Sequence, residues 1–171
     1  MRMDETSDLI EAQIPALRRY AWALLRDREA ADDLVQDCLE RALSRWHLRR
    51  HEGDVRAWLF AILHNLFVDG LRRRSREGLR IDIDDVHDLV APGQDADARV
   101  AMRDVLEGLE ALPPDQKAVL LLVGVEDLSY EAAARVLGIP IGTVMSRLSR
   151  AREKLRRAVT APAPPLLRRV K

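Results

Sequence analysis

The sequence predicts an all-α protein of two small helical domains joined by a flexible acidic linker. Three observations carry this. Apolar residues recur at three-four spacing over most of the 171 residues, alternating strand patterns are nearly absent, and the periodicity lapses once, around an aspartate-rich stretch holding Pro92 and Gly93.

Ile14, Leu17, Ala21, Leu24 and Leu25 mark one face of a first helix. Leu34, Val35, Cys38, Leu39, Ala42, Leu43 and Trp46 mark a second, and Trp58, Leu59, Ile62, Leu63 and Leu66 a third. Burying these stripes against one another makes an N-terminal domain over residues 1–76. Residues 77–98 form the linker, although Leu79, Ile81, Ile83, Val86 and Leu89 give it apolar islands that can dock. A second domain occupies 99–158. Val105, Leu106, Leu109 and Leu112 make one amphipathic run, stopped by Pro113. Pro114 suits the first turn of a helix through Val119, Leu120, Leu122 and Val123. The Pro-rich tail, 159–171, reads as disordered.

Lys+Arg and Asp+Glu both total 28, so the net charge says nothing until it is divided along the chain. Residues 49–80 carry eight Arg against four acids, 81–98 carry six Asp and no Lys or Arg, and 145–171 carry nine basic residues against Glu153 alone. Basic, acidic, basic describes either two polyanion-binding lobes around an acidic connector or ordinary solvated faces. Cys38 is the single cysteine, which excludes an internal disulfide and fits a reducing cytoplasm. The longest apolar runs are too short to cross a bilayer, and the acidic N-terminus lacks a signal-peptide pattern, so a cytoplasmic protein without membrane insertion is expected. His47, His51, His64, His87 and Cys38 fall in no recognised ligand spacing. With no phosphate loop or nucleophile elbow either, no metal, no cofactor and no enzymatic activity are expected.

The most specific local signal is Leu128-Ser129 followed by YEAAARVLGIPIGTVMSRLSRAREKLR. Ser129 caps a helix over Tyr130–Leu137, without the acidic residue of a full capping box because Ala132 stands there. Gly138 ends that helix, Pro140 sets the turn, and Gly142 or Thr143 opens the next. On this second helix Val144, Leu148, Ala151 and Leu155 form an apolar back. Met145, Ser146, Ser149, Arg150 and Arg152 face away from it. A major-groove helix needs small polar and guanidinium groups opposite an apolar stripe, as here. Arg150 is the candidate for a bidentate guanine contact, with Arg147, Arg152 and Lys154 meeting phosphate. The alternative is an αα-hairpin with a basic exposed side.

Two further runs, DREAADDLVQDCLERALSRW and DVRAWLFAILHNLFVDGLRRRSR, resemble conserved region 2 of the extracytoplasmic-function (ECF) group of bacterial RNA polymerase sigma factors. The run ALPPDQKAVLLLVGVEDLSYEAAARVLGIPIGTVMSRLSRAREKLR resembles their region 4. The resemblance implies a non-enzymatic subunit that binds core RNA polymerase and directs promoter-specific initiation. Region 2 would grip the β′ clamp through Asp32, Asp33, Gln36, Asp37 and Glu40, a set that is equally an ordinary solvated face. The −10 element would fall to Arg49, Arg50, Phe60, Ala61, His64, Asn65, Arg72, Arg73 and Arg76. Asn65 matches the position that reads the non-template strand, and 47–54 the loop that captures a flipped base. Trp58 falls on the apolar stripe, whereas Phe60 could stack on a base. Region 4 would hold the β flap and read the −35 element through Thr143, Met145, Ser146, Arg147, Ser149, Arg150 and Lys154. A cognate anti-sigma factor is a further implied partner. The aspartates of the linker either imitate a nucleic-acid backbone in the RNA channel or simply solubilise the chain. Met145, where many members carry Lys or Arg, and Ala132 depart from the pattern. Two rivals stay open: a sigma-like decoy that only binds an anti-sigma factor, and a helix-turn-helix regulator acting without polymerase.

Overall fold

The computed structural model describes the backbone of residues 3–49, 53–77 and 96–160, with side chains described except at 3–5 and 96–101. Among these residues the structure is all-helical: α1 (Met3–Glu11), α2 (Ile14–Leu25), α3 (Arg28–Arg45) and a short 3-10 turn (Trp46–Leu48) lead to α4 (Val55–Arg76). The remaining helices are α5 (Ala96–Glu110), α6 (Pro114–Gly124), α7 (Tyr130–Leu137) and α8 (Ile141–Thr160).

Side-chain caps and a proline explain the boundaries. Asp27 accepts a hydrogen bond from the Ala30 amide at 3.0 Å and starts α3, and Asp54 accepts from the Arg56 amide at 2.9 Å and starts α4. Pro114 occupies the first turn of α6, where its missing N–H is no loss. Two boundaries differ from expectation. The N-terminal lobe has a fourth helix, α1, whose Ile10 is buried where the sequence offered only an acidic leader. Helix α5 starts at Ala96, inside the segment read as linker. The rest of that linker, 78–95, and the tail beyond 160 lie outside the described residues.

In the first lobe α2 and α4 both pack on α3. Leu17, Tyr20, Cys38, Leu59, Phe60 and Leu63 are almost wholly buried, and Tyr20 meets Phe60 edge to face at 5.3 Å. The Cys38 thiol donates to the Leu59 carbonyl at 3.5 Å, and burial pushes its pKa up to about 12. In the second lobe α8 packs against α5, α6 and α7. A Cβ built on Gly108 would meet Leu155 Cδ1 at 2.8 Å, so glycine here lets α5 approach α8 closely.

The lobes are not separate beads. Helix α7 packs along α4, α6 touches α2, and the buried side chains of both lobes join in one connected cluster.

Candidate nucleic-acid interface

Helices α7 and α8 form the helix-turn-helix. Ser129 Oγ accepts from the Ala132 amide at 3.1 Å, so the cap works without the acidic partner. Gly138 closes α7 in the left-handed region at φ 64°, and its amide returns to the Ala134 carbonyl. Pro140 then turns the chain, and its carbonyl accepts from Thr143 and Val144 as α8 begins at Ile141, a residue or two earlier than expected.

Val144, Leu148 and Ala151 are buried against the scaffold, which turns Met145, Ser146, Ser149, Arg150, Arg152 and Lys154 outward. Thr143 is half-buried, and its carbonyl accepts from Ser146 Oγ at 3.1 Å. Met145, Ser149 and Arg152 border, with Tyr130, an open groove of about 590 Å³. Further along α8, Arg156 and Arg157 both pair with Glu153, and the hydrogen bond from Arg157 is the main reason the Glu153 carboxyl is held below its ordinary pKa. Arg147 differs from its assignment as a free phosphate ligand. It reaches Asp115 on α6 at 3.1 Å and ties the recognition helix to its scaffold.

On α4, Asn65, Arg72, Arg73 and Arg76 are exposed along one stretch of helix, and Ala61 is half-buried. Arg72 stands 3.9 Å from Asp69, both largely in solvent. His64 is half-buried and shares a hydrogen bond with the Tyr20 hydroxyl at 3.1 Å; burial lowers its pKa from 6.5 to about 4. Two expected contacts are corrected. Phe60 has no exposed surface and belongs to the core with Tyr20, so it presents no face to a base. Arg49 is 9% exposed: its guanidinium lies 4.6 Å over Trp46 and donates to the Gly53 carbonyl at 2.7 Å, so it shapes the loop. Trp58, as expected of the apolar stripe, packs on Trp46 at 5.8 Å. Arg50 lies outside the described residues.

On α3, Asp32, Asp33, Gln36 and Glu40 are exposed and Asp37 lies beside them, with Gln36 donating to Glu40 at 3.1 Å and Arg18 3.6 Å from Asp32. Together they give α3 an acidic face. Among the described residues no group of three His, Cys, Asp or Glu could hold a metal ion, and no helix is long and apolar enough to cross a membrane.

Sequence reasoning missed the groups that join the lobes. Glu126, between α6 and α7, is 2% exposed and receives Arg19 from α2 and Arg56 from α4. Arg26 pairs with Glu110 at 2.7 Å beside Lys117, whose pKa burial lowers against the opposing pull of Glu110. No local signal marks these residues, because the Glu126 partners stand 107 and 70 positions away.

An exposed basic helix on one lobe and a polar, arginine-tailed helix on the other make a two-part surface suited to a nucleic acid. The family model for the sigma2 domain of PhyR matches residues 10–64, and that for sigma-70 region 4 matches 102–155. The chain is 40% identical to the ECF RNA polymerase sigma factor EcfG of Rhodopseudomonas palustris over 153 residues, 89% of this chain and 83% of that one. It is 33% identical to the RNA polymerase sigma factor HrpL of Pseudomonas syringae over 152 residues, 86% of this chain and 83% of the relative. The sigma factor RpoE of Bartonella quintana, solved in complex with the anti-sigma factor NepR, superposes with a TM-score of 0.78 at 33% identity, covering 94% of this chain and 98% of that one. The chain belongs to the ECF RNA polymerase sigma factors. It is accordingly a non-enzymatic initiation factor that directs core RNA polymerase to promoters. A regulator built on a helix-turn-helix alone would leave the match at 10–64 without a counterpart.

Proposed function

We propose that α8 reads the −35 element with Thr143, Met145, Ser146, Ser149, Arg150 and Lys154, while α4 reads the −10 element with Ala61, His64 and Asn65. In this reading Arg72, Arg73 and Arg76 hold the adjoining phosphates, joined by Arg50 from the loop before α4. Arg147 reaches phosphate only by releasing Asp115. The observation that carries the −35 assignment is the division of α8: Ser146, Ser149 and Arg150 are exposed opposite the buried Val144, Leu148 and Ala151. The acidic face of α3 suits the β′ clamp, and the second lobe the β flap. The functional boundaries are then 1–76 for region 2, 77–98 for the linker and 99–158 for region 4, in a protein that works in the cytoplasm. An anti-sigma factor is a fitting partner, since the RpoE relative is held by one.

Run-off transcription with core polymerase on a fragmented genomic library tests the reading as a whole: specific starts are expected, and failure to bind polymerase would sink it. Arg150→Ala should weaken binding to a cognate −35 duplex by roughly 1–3 kcal/mol and relax specificity at one base pair. Unchanged affinity and sequence preference would remove Arg150 from the reading set. Asn65→Ala should leave the closed complex intact but impair melting. Permanganate footprinting that shows a normal bubble would count against that role.

A further inference from the structure

The leading end of α8 carries an apolar side chain on a face that is otherwise polar. Met145 is 48% exposed, with Ser146, Ser149, Arg150 and Arg152 around it. It borders the open groove together with Tyr130, and the almost wholly buried Leu148 lines that groove as well. Two of its polar neighbours are engaged within the protein. Ser146 donates its hydroxyl proton to the Thr143 carbonyl at 3.1 Å, and the Arg147 guanidinium reaches Asp115 at 3.1 Å. This end of the helix therefore projects a thioether chain beside a phenol ring, with Ser149 one turn further on.

The N-terminal residues of a recognition helix are the ones that meet base edges. Along those edges the major groove shows hydrogen-bond donors and acceptors and a single apolar group, the C5 methyl of thymine. Methionine donates no hydrogen bond and accepts only weakly, so it cannot answer a guanine or adenine edge. Pressed against such an edge it displaces water and replaces none of its bonds, whereas a methyl group has none to lose. An unbranched chain ending in a polarizable sulfur also closes on a methyl group without a rigid, pre-shaped pocket. We propose that Met145, backed by Tyr130, is a specificity-determining residue that selects thymine, through its C5 methyl, at one position of the −35 element. This selection rests on the assignment of α8 to the −35 duplex, and it works by packing where the rest of the face works by hydrogen bonding and charge.

A change in the DNA that removes nothing but the methyl group tests this. Holoenzyme assembled from core polymerase and the full chain is titrated with a promoter fragment identified by run-off transcription. Each thymine of the −35 element, on either strand, is replaced in turn by deoxyuridine. Burial of one methyl group corresponds to roughly a fourfold change in affinity, so one of these replacements should weaken binding by about that factor. Holoenzyme carrying Met145→Ala should bind the thymine and deoxyuridine fragments equally, and Met145→Leu, which restores an apolar side chain, should keep the preference. Circular dichroism should show the same helical content in both variants, because the half-exposed Met145 lies outside the core. Indifference of the parent to every deoxyuridine replacement, or a thymine preference that survives Met145→Ala, would overturn the proposal. Equal binding of the parent to the promoter and to a fragment with its whole −35 element scrambled would instead strike at the assignment of α8 itself.

Discussion

Tyr20 and His64 meet inside the first lobe, where burial favours the neutral imidazole. The Tyr20 hydroxyl and His64 Nδ1 share a hydrogen bond that a neutral imidazole makes in either direction. Its pKa falls from 6.5 to about 4 on folding because burial disfavours the cation. Between these values the unfolded chain binds more protons than the folded one, so stability is full above pH 6.5 and is lost as pH falls toward 4. The loss attributable to His64 is on the order of 3 kcal/mol. Urea unfolding at pH 7 and pH 4.5 should show this slope in the parent and a flatter one in His64→Gln; parallel slopes would show that the histidine titrates normally. At this scale the sequence located the exposed residues well, since a helical stripe determines which side chains are left outside it. It could not tell that Phe60 is core or that Arg49 is buried. Phe60 depends on Tyr20, brought in by tertiary packing, and Arg49 on an irregular turn that folds its guanidinium back over Trp46 and onto the Gly53 carbonyl.

Local chemistry decides the helix-turn-helix, which is why nearly all of it was legible. Ser129, Gly138 and Pro140 each act within four residues of their own position, through a side-chain cap, a left-handed residue and a missing amide hydrogen. Ser129→Ala should cost about 1 kcal/mol by leaving the Ala132 amide without its acceptor. Chemical denaturation would register this as a lower midpoint at constant slope, and an unchanged midpoint would mean that water replaces the hydroxyl. Helix α1 shows the opposite case. Its nine residues offer one short apolar pair, Leu9 and Ile10, and Ile10 becomes buried only in the assembled lobe. A segment this short is not stable alone, and its existence is a tertiary fact.

At the scale of the molecule, charge segregation and the two long motifs gave the order of the parts, but nothing in them gave their mutual placement. Glu126 sits in a short stretch between α6 and α7, and its ion pairs come from two arginines far away in sequence. Because the buried side chains of both lobes are connected, heating the free protein should unfold them as one unit. Calorimetric and van't Hoff enthalpies should then agree. A calorimetric value well above the van't Hoff one would mean that the lobes melt independently.

The single thiol adds a property of a different kind. Cys38 is closed in between α3 and α4 and holds its proton to about pH 12, so at neutral pH the folded chain is nearly inert to maleimides and oxidants. Its environment belongs wholly to the first lobe. Parting the lobes leaves it shielded, whereas loss of the α3–α4 packing uncovers it. The native chain thus carries an alkylation clock that is blind to hinge motion and sensitive to unfolding, with no residue needing to be introduced or removed.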